Sequence, residues 1–361
     1  MPSKYFLAVL VLMGIYAAFF AKYSIERTYA LYETRGNYGV DTEIFYQSFL
    51  STIEGGGFFY NDHEYTRFGA TSHFGVHNSP ILLLILPIFA LFPYIETLLI
   101  IQTLAVALSI LTFFKFSRSI LDEKSAFIVS IIYMINPMLH GINRFEFHAV
   151  SLALPLIFIF AYFYEKGILK LTIASALLVL AVREDSFLIL LSLMILRALR
   201  GESRFDLMEK LIFASSVLWP AFSIFFVIPH FAPKYPHLSN YTLGVPHPYL
   251  SLMLIVALFL SFGLIPLLKL RYVLPGIPLL LELILSKRFQ YVIFWNHYCY
   301  MIVSYFAIAT VYTLKEQKSK KILVYALILA FLTFLVSSPA VHEGLPLVFD
   351  VRIPPELLLL Y

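Results

Sequence analysis

Residues 80–93 read PILLLILPIFALFP, and the reading of this stretch decides the fold. The stretch is apolar enough to enter a bilayer, but it is only 14 residues long and carries Pro80, Pro87 and Pro93. A crossing helix needs about 20 residues, and a proline inside a helix removes a hydrogen bond and kinks it. Such a length fits a re-entrant or interfacial segment that enters and leaves on one face. Counted as a crossing, it would invert the orientation of everything that follows.

Working outward, the rest of the chain reads as an all-α polytopic membrane protein. Of its 361 residues, 60% are hydrophobic and 13% charged, with a mean hydropathy of +0.83. Soluble domains run at about 25% charged residues. Candidate spans fall at 5–21, 94–114, 125–140, 149–164, 168–182, 186–199, 211–229, 249–267, 272–286, 298–314 and 321–337, which makes about 11 transmembrane helices. Residues 5–21 are read as a retained span, since Lys4 is the only positive charge before them and no small-residue cleavage site follows. The division is a single transmembrane domain over 1–337 and a short outer tail over 338–361, with an outer loop at 22–93.

Two patterns support leaving 80–93 out of the count. With the N-terminus cytoplasmic, most of the 26 Lys and Arg residues fall in short inner connections, as at Lys115, Arg118, Lys166, Arg197, Arg200 and Lys269. All ten histidines (63, 73, 77, 140, 148, 230, 237, 247, 297 and 342) then lie on the outer side or at outer span ends. Ionisable groups gathered at one end of a bundle point to one extracytoplasmic site; long outer loops that simply collect polar residues are the plain alternative. Residues 42–53 read as a surface helix with Ile44, Phe45, Phe49 and Ile53 on one face. Gly55-Gly56-Gly57 follows as a hinge, and the proline-rich 230–248 forms a second ordered outer loop.

Several classes of function are excluded. The chain has no phosphate-loop, nucleophile-elbow or dinucleotide fingerprint. Its net charge of +4 is small and no basic block resembles a nucleic-acid footprint, so the expected partner is membrane lipid and not nucleic acid. One cysteine, Cys299, rules out an internal disulfide and a thiolate cluster.

The candidate chemistry sits in five short constellations. Asp41 and Glu43 are two carboxylates two apart, able to share a divalent cation or to act as a base and its partner; an N-cap role for Asp41 is equally open. His73 and His77 are four apart and are candidate metal ligands with Asp41 and Glu43, although Gly75 and Pro80 disfavour the regular helix this needs. His77 with Asn78 reads better as a polar rim for a phosphate or sugar. Arg144 and His148 frame a third group, and Arg183-Glu184-Asp185 form a fourth between two apolar runs. Such charges are costly near lipid and are expected to face the bundle interior, where an arginine suits a lipid-linked phosphate; local pairing is the plain alternative. His297 and Tyr298 open the tenth span. The 35 Phe, 24 Tyr and 2 Trp residues suit an interface belt or sugar stacking.

Asp41 followed by Phe45-Tyr46-Gln47, then Phe74-Gly75-Val76-His77-Asn78-Ser79-Pro80, then Thr97-Leu98-Leu99 with Gln102, resembles a membrane-protein family known as domain of unknown function 2079. Phe147-His148, Arg183-Glu184-Asp185 and, more faintly, His297-Tyr298 match the same pattern. The likeness is good over about residues 38–200 and looser beyond. That family is in turn similar to the C-type glycosyltransferases, which take sugar from a polyprenyl-phosphate donor at the outer face. The resemblance implies surface helices at 42–53 and 80–93, with inverting sugar transfer to an acceptor of unknown identity. Asp41 would orient or deprotonate that acceptor, and Glu43 would assist it or hold a divalent cation. Arg183, with Arg144 or His77, would neutralise the leaving phosphate. The implied location is the plasma membrane. A transporter or flippase for a lipid or small polar solute is the runner-up.

Overall fold

The computed structural model describes residues 3–317, 319 and 321–344. Among them the protein is helical throughout, with one isolated bridge between Tyr241 and Ser286. Residues 345–361, most of the expected outer tail, lie outside the described residues.

The first helix, α1 (Lys4–Arg35), is capped by Ser3, whose Oγ accepts from Phe6 N at 3.2 Å, and ends at Gly36 in the left-handed conformation. The sequence reading ended this span at residue 21. The helix instead runs on through residues 22–35, where Lys22 and Glu26 pair one turn apart. At 1.5 Å per residue it is about 48 Å long, well beyond the ~30 Å apolar core of a bilayer. Polar residues past the apolar run mark a headgroup boundary, and nothing in them stops a helix.

Next come α2 (Val40–Ile53), the short α3 (Asp62–Phe68) and α4 (Leu82–Leu91). The reading of 80–93 turned on length, and α4 has ten residues, about 15 Å. It lies under α2, with the Phe89 ring 5.0 Å from Phe49 and 5.9 Å from Tyr46. The third loop helix, α3, was not foreseen. It starts at Asn61, whose side chain accepts from Glu64 N, and it is too short and polar to show an apolar period.

The bundle comprises α5 (Ile95–Arg118), α6 (Glu123–Met134), α7 (Pro137–Arg144), α8 (Ala153–Lys166), α9 (Leu169–Leu180), α10 (Phe187–Leu199), α11 (Leu207–Phe222), α12 (Ile228–Phe231), α13 (Pro248–Ser261), α14 (Ile277–Ile284), α15 (Tyr300–Lys315) and α16 (Lys321–Ser337). Four segments are long and apolar enough to cross a membrane: Lys4–Arg35, Ile95–Arg118, Ala149–Lys166 and Leu207–Phe231. Two bent pairs raise this to six: α6 with α7 at 48°, and α13 with Ile265–Tyr272 at 108°. Five further apolar helices are shorter, among them α9, α10 and α16. The protein is thus an all-helical membrane protein with four to six candidate crossings.

α5 packs against α1, α6 and α8. α15 is buried from Tyr300 to Leu314 and forms the axis of the bundle. Two long loops close over one end: Thr71 N donates to Phe231 O at 2.8 Å, joining the first loop to the 230–248 loop.

Candidate functional site

The site begins at the N-terminus of α2. Gly39 precedes this helix at φ 95°, and a Cβ there would lie 2.3 Å from Glu146 Cδ, so the position admits glycine alone. Glu146 fills that space, and its Oε2 accepts from Asp41 N at 2.5 Å and Thr42 N at 3.3 Å. The orphan N–H groups of the first turn are therefore capped by a carboxylate from another loop. Asp41 lies inside the first turn, and its side chain does not serve as the N-cap. The Asp41 carboxylate accepts no hydrogen bond among the described residues. It remains reachable by solvent but has protein on most sides. Burial first, then the neighbouring Glu146 and Glu64, push it up to about 7.

The second wall is the loop between α7 and α8. Phe147 N donates to Thr42 Oγ1 at 3.2 Å, and the buried Phe147 ring meets Phe45 edge-on at 5.0 Å. Gln102 of α5 clamps the loop from below, accepting from His148 N at 2.7 Å and donating to Phe145 O at 3.1 Å. His297 arrives from the segment before α15. That segment lies directly on α7, where a Cβ on Gly141 would sit 2.3 Å from the Trp295 backbone. The His297 ring stacks on His148 at 4.0 Å and 17°. One donor atom each from Asp41, His148 and His297 lie within 4.8 Å of one another. Both His297 nitrogens and His148 Nδ1 are buried without a hydrogen-bond partner among the described residues. Burial holds both imidazoles well below their usual range; the neighbouring His297 and then Arg183 add to this at His148, and Arg183 and His77 at His297.

Two acid–histidine pairs flank this centre. Glu64 bonds His73 Nδ1 at 2.9 Å. Glu184 bonds His77 Nδ1 at 2.8 Å, accepts from Asn78 N at 3.0 Å and from Tyr235 OH at 2.9 Å. Burial opposes the Glu184 charge, but the bonded His77 and then Arg183 outweigh it and hold the carboxyl down to about 2. His237 stacks on His77 at 4.4 Å. Next to Glu184, Arg183 is 4% exposed, pairs with Asp185 and lies 3.6 Å from Glu282 of α14. Its Nε and Nη1 have no partner, nor does either Glu282 oxygen meet hydrogen-bond geometry.

One end of the bundle thus brings together Asp41, His73, His77, Asn78, His148, Arg183, Glu184, His297 and Tyr298. Glu43 and Arg144 stand apart. Glu43 is exposed and accepts from Tyr38 N at 3.0 Å. Arg144 pairs with Glu343, which also takes Arg27 at 3.3 Å and Tyr23 OH at 2.7 Å. Of the four metal candidates read from the sequence, His73 and His77 each commit Nδ1 to a glutamate and Glu43 points away. Only Asp41 is in the donor cluster. Glu64, Tyr235 and Glu282 were not singled out in the sequence, while Glu146 was marked only as part of the Arg144–His148 stretch and His237 only as one of the ten histidines. Glu282 carried a usable signal, as the one carboxylate inside the apolar run 272–286.

The chain belongs to the family described as predicted membrane protein (DUF2079), whose model matches residues 37–351. No curated protein and no solved structure matches it.

Proposed function

We propose that this membrane protein is a glycosyltransferase that moves a sugar from a polyprenyl-phosphate donor to an acceptor at the extracytoplasmic face of the plasma membrane. The observation that carries the reading is the pairing of opposites at one end of the bundle. Asp41 presents a carboxylate without a partner, and Arg183 presents a buried guanidinium with two nitrogens unpartnered. Sugar transfer from a lipid phosphate needs both. The acceptor oxygen attacks the anomeric carbon from the face opposite the phosphate, and its proton passes to Asp41. The bond from that carbon to the phosphate oxygen breaks, and its electron pair leaves on the phosphate, where Arg183 offsets the growing charge. The attack inverts the anomeric centre. In this reading Asn78, His77 and Tyr298 help to hold the donor's sugar and phosphate. Glu43 and Arg144 take no part in this reading.

The lipid part of such a donor has a place to lie. An apolar groove of roughly 480 Å³ is walled by Leu252, Val256 and Leu260 of α13 and by Leu332 and Val336 of α16. Phe294, three residues before His297, also lines it. Eleven crossings with a cytoplasmic N-terminus put this end of the bundle outside, where the α4 segment needs only to dip and return.

The buried Arg183–Glu282 contact favours a second reading, a flippase or transporter for a lipid or small polar solute, since paired charges inside a bundle also line transport routes. Transfer assays in membranes separate the two. Wild type should move sugar from at least one of a panel of polyprenyl-phosphate sugars. Asp41→Asn should lose about 10²–10⁴-fold, the usual worth of a general base, and Arg183→Gln about 10²–10³-fold, both with wild-type levels of folded protein. Equal transfer by wild type and both variants would remove these residues from the chemistry. Wild type inert with every donor would move the second reading to the front.

A further inference from the structure

The geometry points to a zinc site formed by Asp41, His148 and His297, three residues that the fold gathers from three separate segments. We infer that one Zn²⁺ ion, or a borderline transition dication in its place, binds there with three protein ligands and an open position toward the outer surface. The site shares Asp41 with the sugar-transfer reading but does not depend on it, because the ion itself is what is measured.

The first argument is distance. The three donor atoms lie within 4.8 Å of one another. Zinc bonds to nitrogen and carboxylate oxygen run at about 2.0–2.2 Å, so an ion at their centre requires the side chains to close by only about 1 Å. The second argument is satisfaction. His297 is 1% exposed, yet neither ring nitrogen has a hydrogen-bond partner, and His148 Nδ1 has none either. Buried imidazoles ordinarily bond through at least one nitrogen, as His73 and His77 do here through their glutamates. His148 and His297 instead stack face to face beside an unpartnered carboxylate. A cation supplies the missing partner to all three at once.

The third argument is preparation of the frame. Glu146 fixes Asp41 through its backbone N–H, and Gln102 fixes His148 in the same way. Neither bond uses an atom that an ion would need. Glu146 and Glu64 add negative charge around Asp41, which favours a dication there, and the Arg183 charge beyond is already faced by Asp185, Glu184 and Glu282. The donor set selects the metal. Two imidazoles and one carboxylate suit zinc, whereas magnesium and calcium take oxygen shells. Three protein ligands with a fourth position open is the pattern of a zinc that binds water or substrate, not of a closed structural site. A carboxylate has two oxygens, so Asp41 can hold the ion with one and an acceptor group with the other.

The experiment is metal analysis of the purified full-length chain, followed by replacement of the ion with cobalt(II), whose absorption reports its ligands. Wild type should carry about one zinc per chain and give cobalt bands of a low-coordinate nitrogen and oxygen site. His148→Gln and His297→Gln should each lose the zinc and the bands. If His297→Gln fails to fold, the less buried His148→Gln and the wild-type cobalt spectrum decide the matter. Wild-type protein that takes up neither metal overturns the inference, as does full occupancy retained in both variants, which would place the ion elsewhere. Sugar transfer is scored separately: inactive protein that binds zinc through these residues keeps the site and loses only the transferase reading.

Discussion

Glu64 and His73 are both buried and share a hydrogen bond of 2.9 Å, which ties the stability of the first long loop to pH. Burial lowers the His73 pKa, but Glu64, with Glu184 and Asp41 further off, outweighs it and leaves the imidazole above its usual value. Burial raises Glu64, and His73 together with the Asn61 amide outweighs that and holds the carboxylate below its usual value. A histidine raised on folding contributes stability that is complete below its unfolded pKa, about 6.5, and is lost as pH rises through the folded value. A glutamate lowered on folding contributes above its unfolded pKa, about 4.3, and loses that as pH falls through the folded value. The pair is therefore worth most between about pH 4.3 and 6.5. Glu64→Gln should cost about 1–3 kcal/mol in that window and less above it, because His73 can then shed its proton. Thermal unfolding in detergent across this range checks it, and a pH-independent difference between the two proteins would argue against the ion pair. Arg183 stands out in the sequence as a costly charge between two apolar runs, and Asp41, His77 and His148 stand out as members of short polar constellations. The groups that hold the site do not, because Glu64, Tyr235 and Glu282 are ordinary residues until folding brings them to 2.9 Å from His73, 2.9 Å from Glu184 and 3.6 Å from Arg183.

At the scale of elements, α2 depends on a cap it does not carry. Gly39 offers no side chain, and Glu146 reaches across from the loop before α8 to bond the first two N–H groups. Removing such a cap typically costs about 0.5–2 kcal/mol. Glu146→Gln keeps a carbonyl acceptor and should be the milder change, with Glu146→Ala below it. Gly39→Ala should be worse than either, since a methyl at φ 95° is strained and drives Glu146 out of its seat. All three should lower sugar transfer along with the unfolding temperature, because Asp41 sits on the turn that the cap holds. An alanine at 146 that leaves both unchanged would show that α2 stands without it. The sequence marked α2 through its apolar face, and its observed start differs by two residues. It could not mark where α1 ends, because helix-forming polar residues continue past the apolar run. Nor could it show the 48° break between α6 and α7 as more than Asn136-Pro137 inside one hydrophobic stretch.

Across the whole molecule the position of α4 controls the orientation of everything after it. Asp41 precedes α4 in the chain, and His148 follows α4 and three further helices, yet their donor atoms lie within 4.8 Å. α5 leads away from the site's end of the bundle and the bent pair α6–α7 returns to it. A crossing by α4 would add an odd pass and place the two residues on opposite faces, and about 15 Å of helix cannot make that pass. Cysteine labelling in intact cells tests this directly, because the native Cys299 is buried and can be changed to serine. A cysteine replacing Glu54, ahead of α4, and one replacing the exposed Tyr94, just after it, should both react with a membrane-impermeant maleimide. One replacing Lys166, at the far end of α8, should react only after the membrane is opened. Labelling of Glu54→Cys without Tyr94→Cys would mean that α4 crosses after all, which the shared site of Asp41 and His148 could not survive. Lys166→Cys labelled from outside, with the other two protected, would keep the fold and reverse its direction, setting the site at the cytoplasmic face and removing the extracytoplasmic donor from the proposed reaction.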